Sequence, residues 1–136
     1  MKTTIRTIIT ILFLCFVSIN DATAQQISPK IQEIYGGKMQ EFAQNDPEHL
    51  VRLKDLIDNR IKIIESAAFA EEKYVKLSTI ELLNKYNPDL KRDLTYDPIT
   101  FNPLKYNLNF FSTKPEVYRI DNTDYLIVIT PQSLNK

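Results

Sequence analysis

Between Asp124 and Thr130 the chain reads Asp-Tyr-Leu-Ile-Val-Ile-Thr, its most apolar and β-branched run outside the first 25 residues. In extended geometry Tyr125, Ile127 and Ile129 point to one side, and Leu126, Val128 and Thr130 to the other. Both sides are apolar, so this strand needs cover above and below. A fold that supplies it must bring other elements onto each face.

The best cover is a helix. Asn45-Asp46-Pro47-Glu48 is a strong helix start, with Asp46 able to accept from free amides, Pro47 at the first helical position and Glu48 near the positive end of the dipole. Leu50, Leu53, Ile57, Ile61 and Ile64 follow at steps of three and four, which predicts one apolar stripe on a helix over 47–65. Glu48 with Arg52, and Asp58 with Lys62, are spaced to pair on its polar side. Before it, Ser28-Pro29 opens a short helix carrying Ile31, Ile34 and Tyr35, which Gly36-Gly37 should end; Met39 and Phe42 lie on a further short piece. After it, Ser78-Thr79-Ile80-Glu81 matches a capping box and predicts a second helix over 79–86, closed by Asn87-Pro88.

The sheet half follows. Leu104 to Phe110 alternates apolar and polar residues, predicting a strand over 104–111. With strands over 117–120 and 124–130, joined by the polar turn Asp121 to Asp124, this makes a three-stranded antiparallel meander. Tyr74 to Leu77 or Leu94 to Tyr96 could add a flanking strand. Between the halves, 90–103 is read as an ordered loop pinned to the core by Leu94, Tyr96, Ile99 and Phe101. The fold class expected is α+β, helices first and sheet last.

Met1 to Gln25 has the layout of a secretory signal: Lys2 and Arg6, an apolar run from Ile8 to Val17, and Ala22-Thr23-Ala24 before the expected cut. The apolar run is about half of the roughly 20 residues that cross a bilayer. Cys15 sits inside that run after bulky Leu14, which does not suit a lipoprotein. Taking 1–24 as a cleaved leader leaves 25–136 as one small domain, exported to the periplasm, the outer membrane or beyond. Of 17 basic and 17 acidic residues, Lys2, Arg6 and Asp21 fall in the leader, so the remainder carries about −1. Nothing in that balance favours nucleic acid. The one cysteine is also in the leader, so neither disulfides nor thiolate zinc sites are available to the domain.

Chemistry-bearing residues are sparse. His49 is the only histidine, and Gly36 and Gly37 are the only glycines, which leaves no phosphate-cradling loop. Asp121, Asn122 and Asp124 could hold a cation, but their spacing lacks the glycine and distal glutamate of a calcium loop and suits a turn better. Asp93, Asp97 and Asp121 would serve a small hydrolase if one cleft gathered them. No metal, cofactor or catalytic residue is assigned. Aromatic residues crowd the sheet half, and Phe111, following Phe110, breaks its strand's alternation. Phe110, Phe111, Tyr118 and Tyr125 are therefore the candidate partner surface.

The leader ending Ala-Thr-Ala-Gln-Gln, together with Lys-Tyr-Asn-Pro-Asp-Leu-Lys-Arg-Asp-Leu, Phe-Asn-Pro-Leu-Lys-Tyr and Tyr-Arg-Ile-Asp-Asn-Thr-Asp-Tyr, resembles small exported proteins of unknown function from bacteroidete-type Gram-negative bacteria. That resemblance implies an address and no activity. The function expected is a non-catalytic binding or accessory module of the cell envelope, docking on an envelope complex or on itself. The alternatives are the carboxylate hydrolase and a soluble ligand carrier.

Overall fold

A computed structural model describes residues 27–66 and 73–132. The expected leader and the last four residues lie outside them. Three helices open the described chain: α1 (Pro29–Tyr35), α2 (Met39–Asn45) and α3 (Pro47–Asp55). Pro29 starts α1 as expected, but the Ser28 side chain makes no cap bond. Its carbonyl instead accepts the amides of Ile31 and Gln32 at 2.9 and 3.0 Å. Gly36 ends α1 with φ +51°, a left-handed backbone that glycine adopts without strain. At α3 the expected cap is present, with the His49 amide donating to Asp46 Oδ1 at 3.0 Å.

Among the described residues four strands form one mixed sheet: β1 (Ile61–Glu65), β2 (Val75–Lys76), β3 (Glu116–Arg119) and β4 (Tyr125–Ile129), in the order β1-β4-β3-β2. The β3–β4 hairpin is the one predicted, and β2 is the flanking strand anticipated near Tyr74 to Leu77. It pairs parallel to β3, so the sheet is not a meander.

The helix predicted over 47–65 is corrected. It runs as α-helix only to Asp55, widens into a π turn over Leu56–Arg60, and becomes β1. Ile61, Ile63 and Ile64 fit a strand as readily as a helical stripe, and β-branched side chains are stiff in a helix. Pairing of β1 against β4, from Ile61 with Ile129 to Glu65 with Tyr125, decides the matter. Asp58 accordingly pairs with Lys54 on the preceding turn, not with Lys62. Glu48 and Arg52 approach to 3.9 Å.

The helix predicted over 79–86 is also absent. The Ser78 amide and hydroxyl both donate to Asp121, at 2.8 and 2.6 Å, which takes the cap away. Arg92 donates to the carbonyls of Leu77 and Ile80, the second of which a helix over 79–86 would have used for the Asn84 amide. The chain makes one 3-10 turn over Leu77–Thr79 and extends, so that Leu82 bridges Tyr106.

The third predicted strand, 104–111, loses its ladder and keeps its alternation only from Tyr106 on, Lys105 being buried between Leu104 and Tyr106. A 3-10 turn occupies Pro103–Lys105. Beyond it the Leu108 amide donates to Tyr106 O at 2.7 Å, and Phe110 to Leu108 O at 2.9 Å. These bonds span two residues, as in γ-turns, so the segment extends with little help from a neighbouring strand. Tyr106, Leu108 and Phe110 turn inward while Asn107, Asn109 and Phe111 face out.

The main core lies between this segment, the helices and one face of the sheet. Ile31, Leu56, Phe101, Leu104, Tyr106, Ile127 and Ile129 are among its most buried side chains. Of the stripe expected to roof β4, Leu53 belongs to the same buried cluster as Ile127 and Ile129, while Leu50, Ile57 and Ile61 pack against it partly buried; Leu56, outside that stripe, is the fully buried member of this stretch. On the opposite face of β4, Leu126 is buried and Val128 half-buried. Arg60, buried at the end of the π turn, ties sheet to segment: its guanidinium donates to Thr130 O at 3.0 Å and to Phe110 O at 2.6 Å.

Candidate functional site

Two concave regions draw on the candidate residues. The first, about 210 Å³, is lined by Ser78, Arg92, Asp93, Tyr96, Tyr106 and Asp121 among others. It brings together two of the three carboxylates considered for acid and base work and leaves out Asp97, which holds its own turn by accepting the amides of Ile99 and Thr100.

Both carboxylates in this cavity are already committed. Asp93 accepts from Lys105 Nζ at 2.6 Å and from the Tyr106 hydroxyl at 3.3 Å. Lys105, whose side chain is only 8% exposed, also pairs with Glu33 at 3.0 Å. Burial alone would lower the Lys105 pKa, but hydrogen bonds to Asp93 and Glu33 and their charges outweigh it, and the ammonium is held above its ordinary value. Asp121 is opposed by burial but favoured more by the Ser78 hydroxyl and amide, so its carboxyl lies below the usual range. A general acid needs the reverse shift. These groups brace the fold.

The turn Asp121 to Asp124 is likewise built from its own bonds. Thr123 donates its hydroxyl to Ile120 O at 2.7 Å and accepts the Tyr125 amide at 3.1 Å, while Asn122 takes φ +56°. Among the described residues no group of three or more metal-ligating side chains is gathered, and no helix is long and apolar enough to cross a membrane.

The second region is a groove of about 370 Å³ between α1, α2, α3 and the 104–111 segment. Its lining carries a relay of rings. Tyr35 stacks on Phe42 at 4.0 Å and tilts against Tyr86 at 5.0 Å. Phe42 meets the edge of His49 at 5.4 Å, and His49 lies 6.1 Å from Phe111. Phe111 is 50% exposed, and the Arg60 guanidinium sits 6.0 Å from its ring centre. A neighbouring depression shares Phe42, Asp46 and Tyr86 and adds Lys38 and Lys85 at its rim.

Of the four residues expected to form a partner surface, Phe110 and Phe111 line this groove, Phe110 from the core and Phe111 from the surface. Tyr118 is buried, its hydroxyl accepting the Asn109 amide at 3.0 Å. Tyr125 is half-buried and packs on Tyr96 at 4.4 Å. The sequence reading missed Tyr35, Phe42, His49 and Tyr86 as groove residues. No helical spacing could have shown it, because Gly36-Gly37 divides Tyr35 from Phe42 and only the packing of α1 on α2 stacks the two rings.

His49 is shifted down, chiefly by burial and next by Arg52, with Asp46 opposing. Tyr35 is pushed up to about 12 by burial first, then by Tyr86 and Asp46. Its neutral form is thus favoured by folding, so that contribution is present below pH 10 and is lost as pH rises from 10 toward 12. In an ultraviolet titration of the folded protein, Tyr35 should ionise last, after the exposed tyrosines and after Tyr96 and Tyr106, which burial also pushes up. Tyr35→Phe should remove that late step; a titration unchanged by it would show that Tyr35 is not the retarded group.

Comparison with family models, curated proteins and solved structures finds no match to this chain.

Proposed function

We propose that this chain is an exported, non-catalytic binding or accessory module of the cell envelope, and that it grips its partner through the aromatic groove. The observation that carries this reading is the run of five neighbouring rings, Tyr86, Tyr35, Phe42, His49 and Phe111, along an open groove of about 370 Å³. Aromatic side chains offer large contact area at little entropic cost and are enriched where proteins meet. Export is supported by the leader-like pattern of 1–24. The hydrolase alternative has less support, because Asp93 and Asp121 are held by Lys105, Tyr106 and Ser78. The carrier alternative would call for an enclosed cavity, and this groove is open along the surface.

A photo-crosslinking residue at Phe111, compared in living cells with one at Val51 on the exposed side of α3, tests the reading. Phe111 should yield a discrete adduct that Val51 does not. If the two positions give the same diffuse background, the groove is not where this protein binds.

A further inference from the structure

Two aliphatic side chains stand almost wholly in water at 94–99, the loop expected to be pinned by them. Leu94 is 97% exposed and Ile99 85%, so that of the four expected anchors only Tyr96 and Phe101 turn inward. The loop is nonetheless braced. Asp97 Oδ1 accepts the Ile99 amide at 2.7 Å, and Tyr96 packs between Tyr125 at 4.4 Å and Phe101 at 5.5 Å. Asp93, one residue before Leu94, is clamped by Lys105. A braced loop presents Leu94 and Ile99 with little ordering left to pay for on binding.

The aromatic groove has the complementary character. It is concave and apolar, and its lining shares no residue with the loop. Leu94 and Ile99 stay exposed in the folded chain, so they do not fill the groove of their own molecule. The free charges also match. Lys85, at the rim of the neighbouring depression that shares Phe42 and Tyr86 with the groove, lies 5.2 Å from the Tyr86 ring and has no carboxylate partner among the described residues, whereas Lys38 is held by Glu41. Asp97, between the two aliphatic residues, has no cationic partner among the described residues.

We propose that the 94–99 loop of one copy docks in the aromatic groove of a second copy, with Leu94 and Ile99 against Phe42, Tyr86 and Phe111, and Asp97 facing Lys85. This deepens the groove reading above and rests on it. Loop and groove are different surfaces, so the contact is head-to-tail, and each bound copy still offers one free loop and one free groove. Two aliphatic anchors bury less than a stable interface requires, so the association is weak and concentration-dependent.

Sedimentation velocity on the purified protein from micromolar to millimolar concentration tests this, with two variants. One carries Leu94→Asp and Ile99→Asp and keeps its groove; the other carries Phe111→Asp and Lys85→Glu and keeps its loop. All four positions are on the surface, and matching circular dichroism and melting curves verify that both variants fold. Wild type should associate progressively without stopping at a dimer. Each variant alone should stay monomeric, and an equal mixture should form a dimer and nothing larger. Asp97→Asn, which keeps the turn's acceptor and removes the charge, should weaken association several-fold. A wild type that is monomeric throughout, a loop variant that associates like wild type, or a mixture that stays monomeric overturns the proposal. If the protein is monomeric yet Phe111 crosslinks to another protein in cells, the groove reading survives and self-docking does not.

Discussion

Ile127→Asp is expected to leave the protein unfolded at room temperature. Ile127 is fully buried at the middle of β4, paired with Ile63 on one side and Tyr118 on the other. A carboxylate there would have no cationic partner and would lose its water, a cost of several kcal/mol added to the lost apolar burial. A single domain of this size has about 5–15 kcal/mol in total, and a small core lies toward the lower end. Ile64→Asp is the matched control. Ile64 lies on the edge strand β1 and is partly exposed, so the same change should cost no more than about 1 kcal/mol. Urea unfolding followed by circular dichroism measures both. Equal midpoints for the two variants would show that the sheet buries the other face.

Asp93→Ala is expected to cost about 3 kcal/mol, for a different reason. Lys105 lies in the turn over Pro103–Lys105, Glu33 on α1 and Asp93 in the 90–103 loop. One ammonium therefore staples the loop and the turn that follows it to α1, some way back in the chain. Removing Asp93 leaves that ammonium leaning on Glu33, which is the more exposed of its partners, and deprives the Tyr106 hydroxyl of its acceptor. The double variant Asp93→Ala with Lys105→Met should recover a good part of the loss, because breaking a buried pair strands a charge whereas replacing both charges by apolar groups does not. The pair's contribution is present through neutral pH, since the Lys105 pKa is raised by folding; it fades only as pH climbs past the ordinary lysine value of 10.5. A double variant less stable than Asp93→Ala by the full cost of a second buried deletion would mean the ion pair is not the operative contact.

Some of the candidate site could be read from the residues alone. Phe111 stands out because it follows Phe110 and violates the alternation of its segment, and it is the most exposed of the groove's five rings. Its companions come from the helical half, where Tyr35 and Phe42 looked like ordinary core positions and Tyr86 was assigned to a helix that does not form. Tyr118 and Tyr125 were suspected for being aromatic, yet they pack against Asn109 and Tyr96 respectively. Leu94 and Ile99 were read as anchors because they are apolar. Hydrophobicity does not say which way a loop residue points when backbone bonds, here those at Asp97, set the direction.

Local chemistry settled the elements whose signals lie within a few residues. The start of α3 at Asp46-Pro47, the end of α1 at Gly36, the β3–β4 hairpin and the buried strand β4 are all of this kind. Each depends on a cap, a left-handed glycine, a turn or a dense β-branched run, and a short window of sequence contains all of it. Tertiary contacts alone decided the fate of Ile61 to Glu65 and of Ser78 to Glu81. There helix and extended chain were close in local free energy, and a distant partner broke the tie: β4 took the first, and Asp121 with Arg92 took the second. The groove belongs to the same category, since its rings come from segments far apart in the chain and meet only when those segments pack.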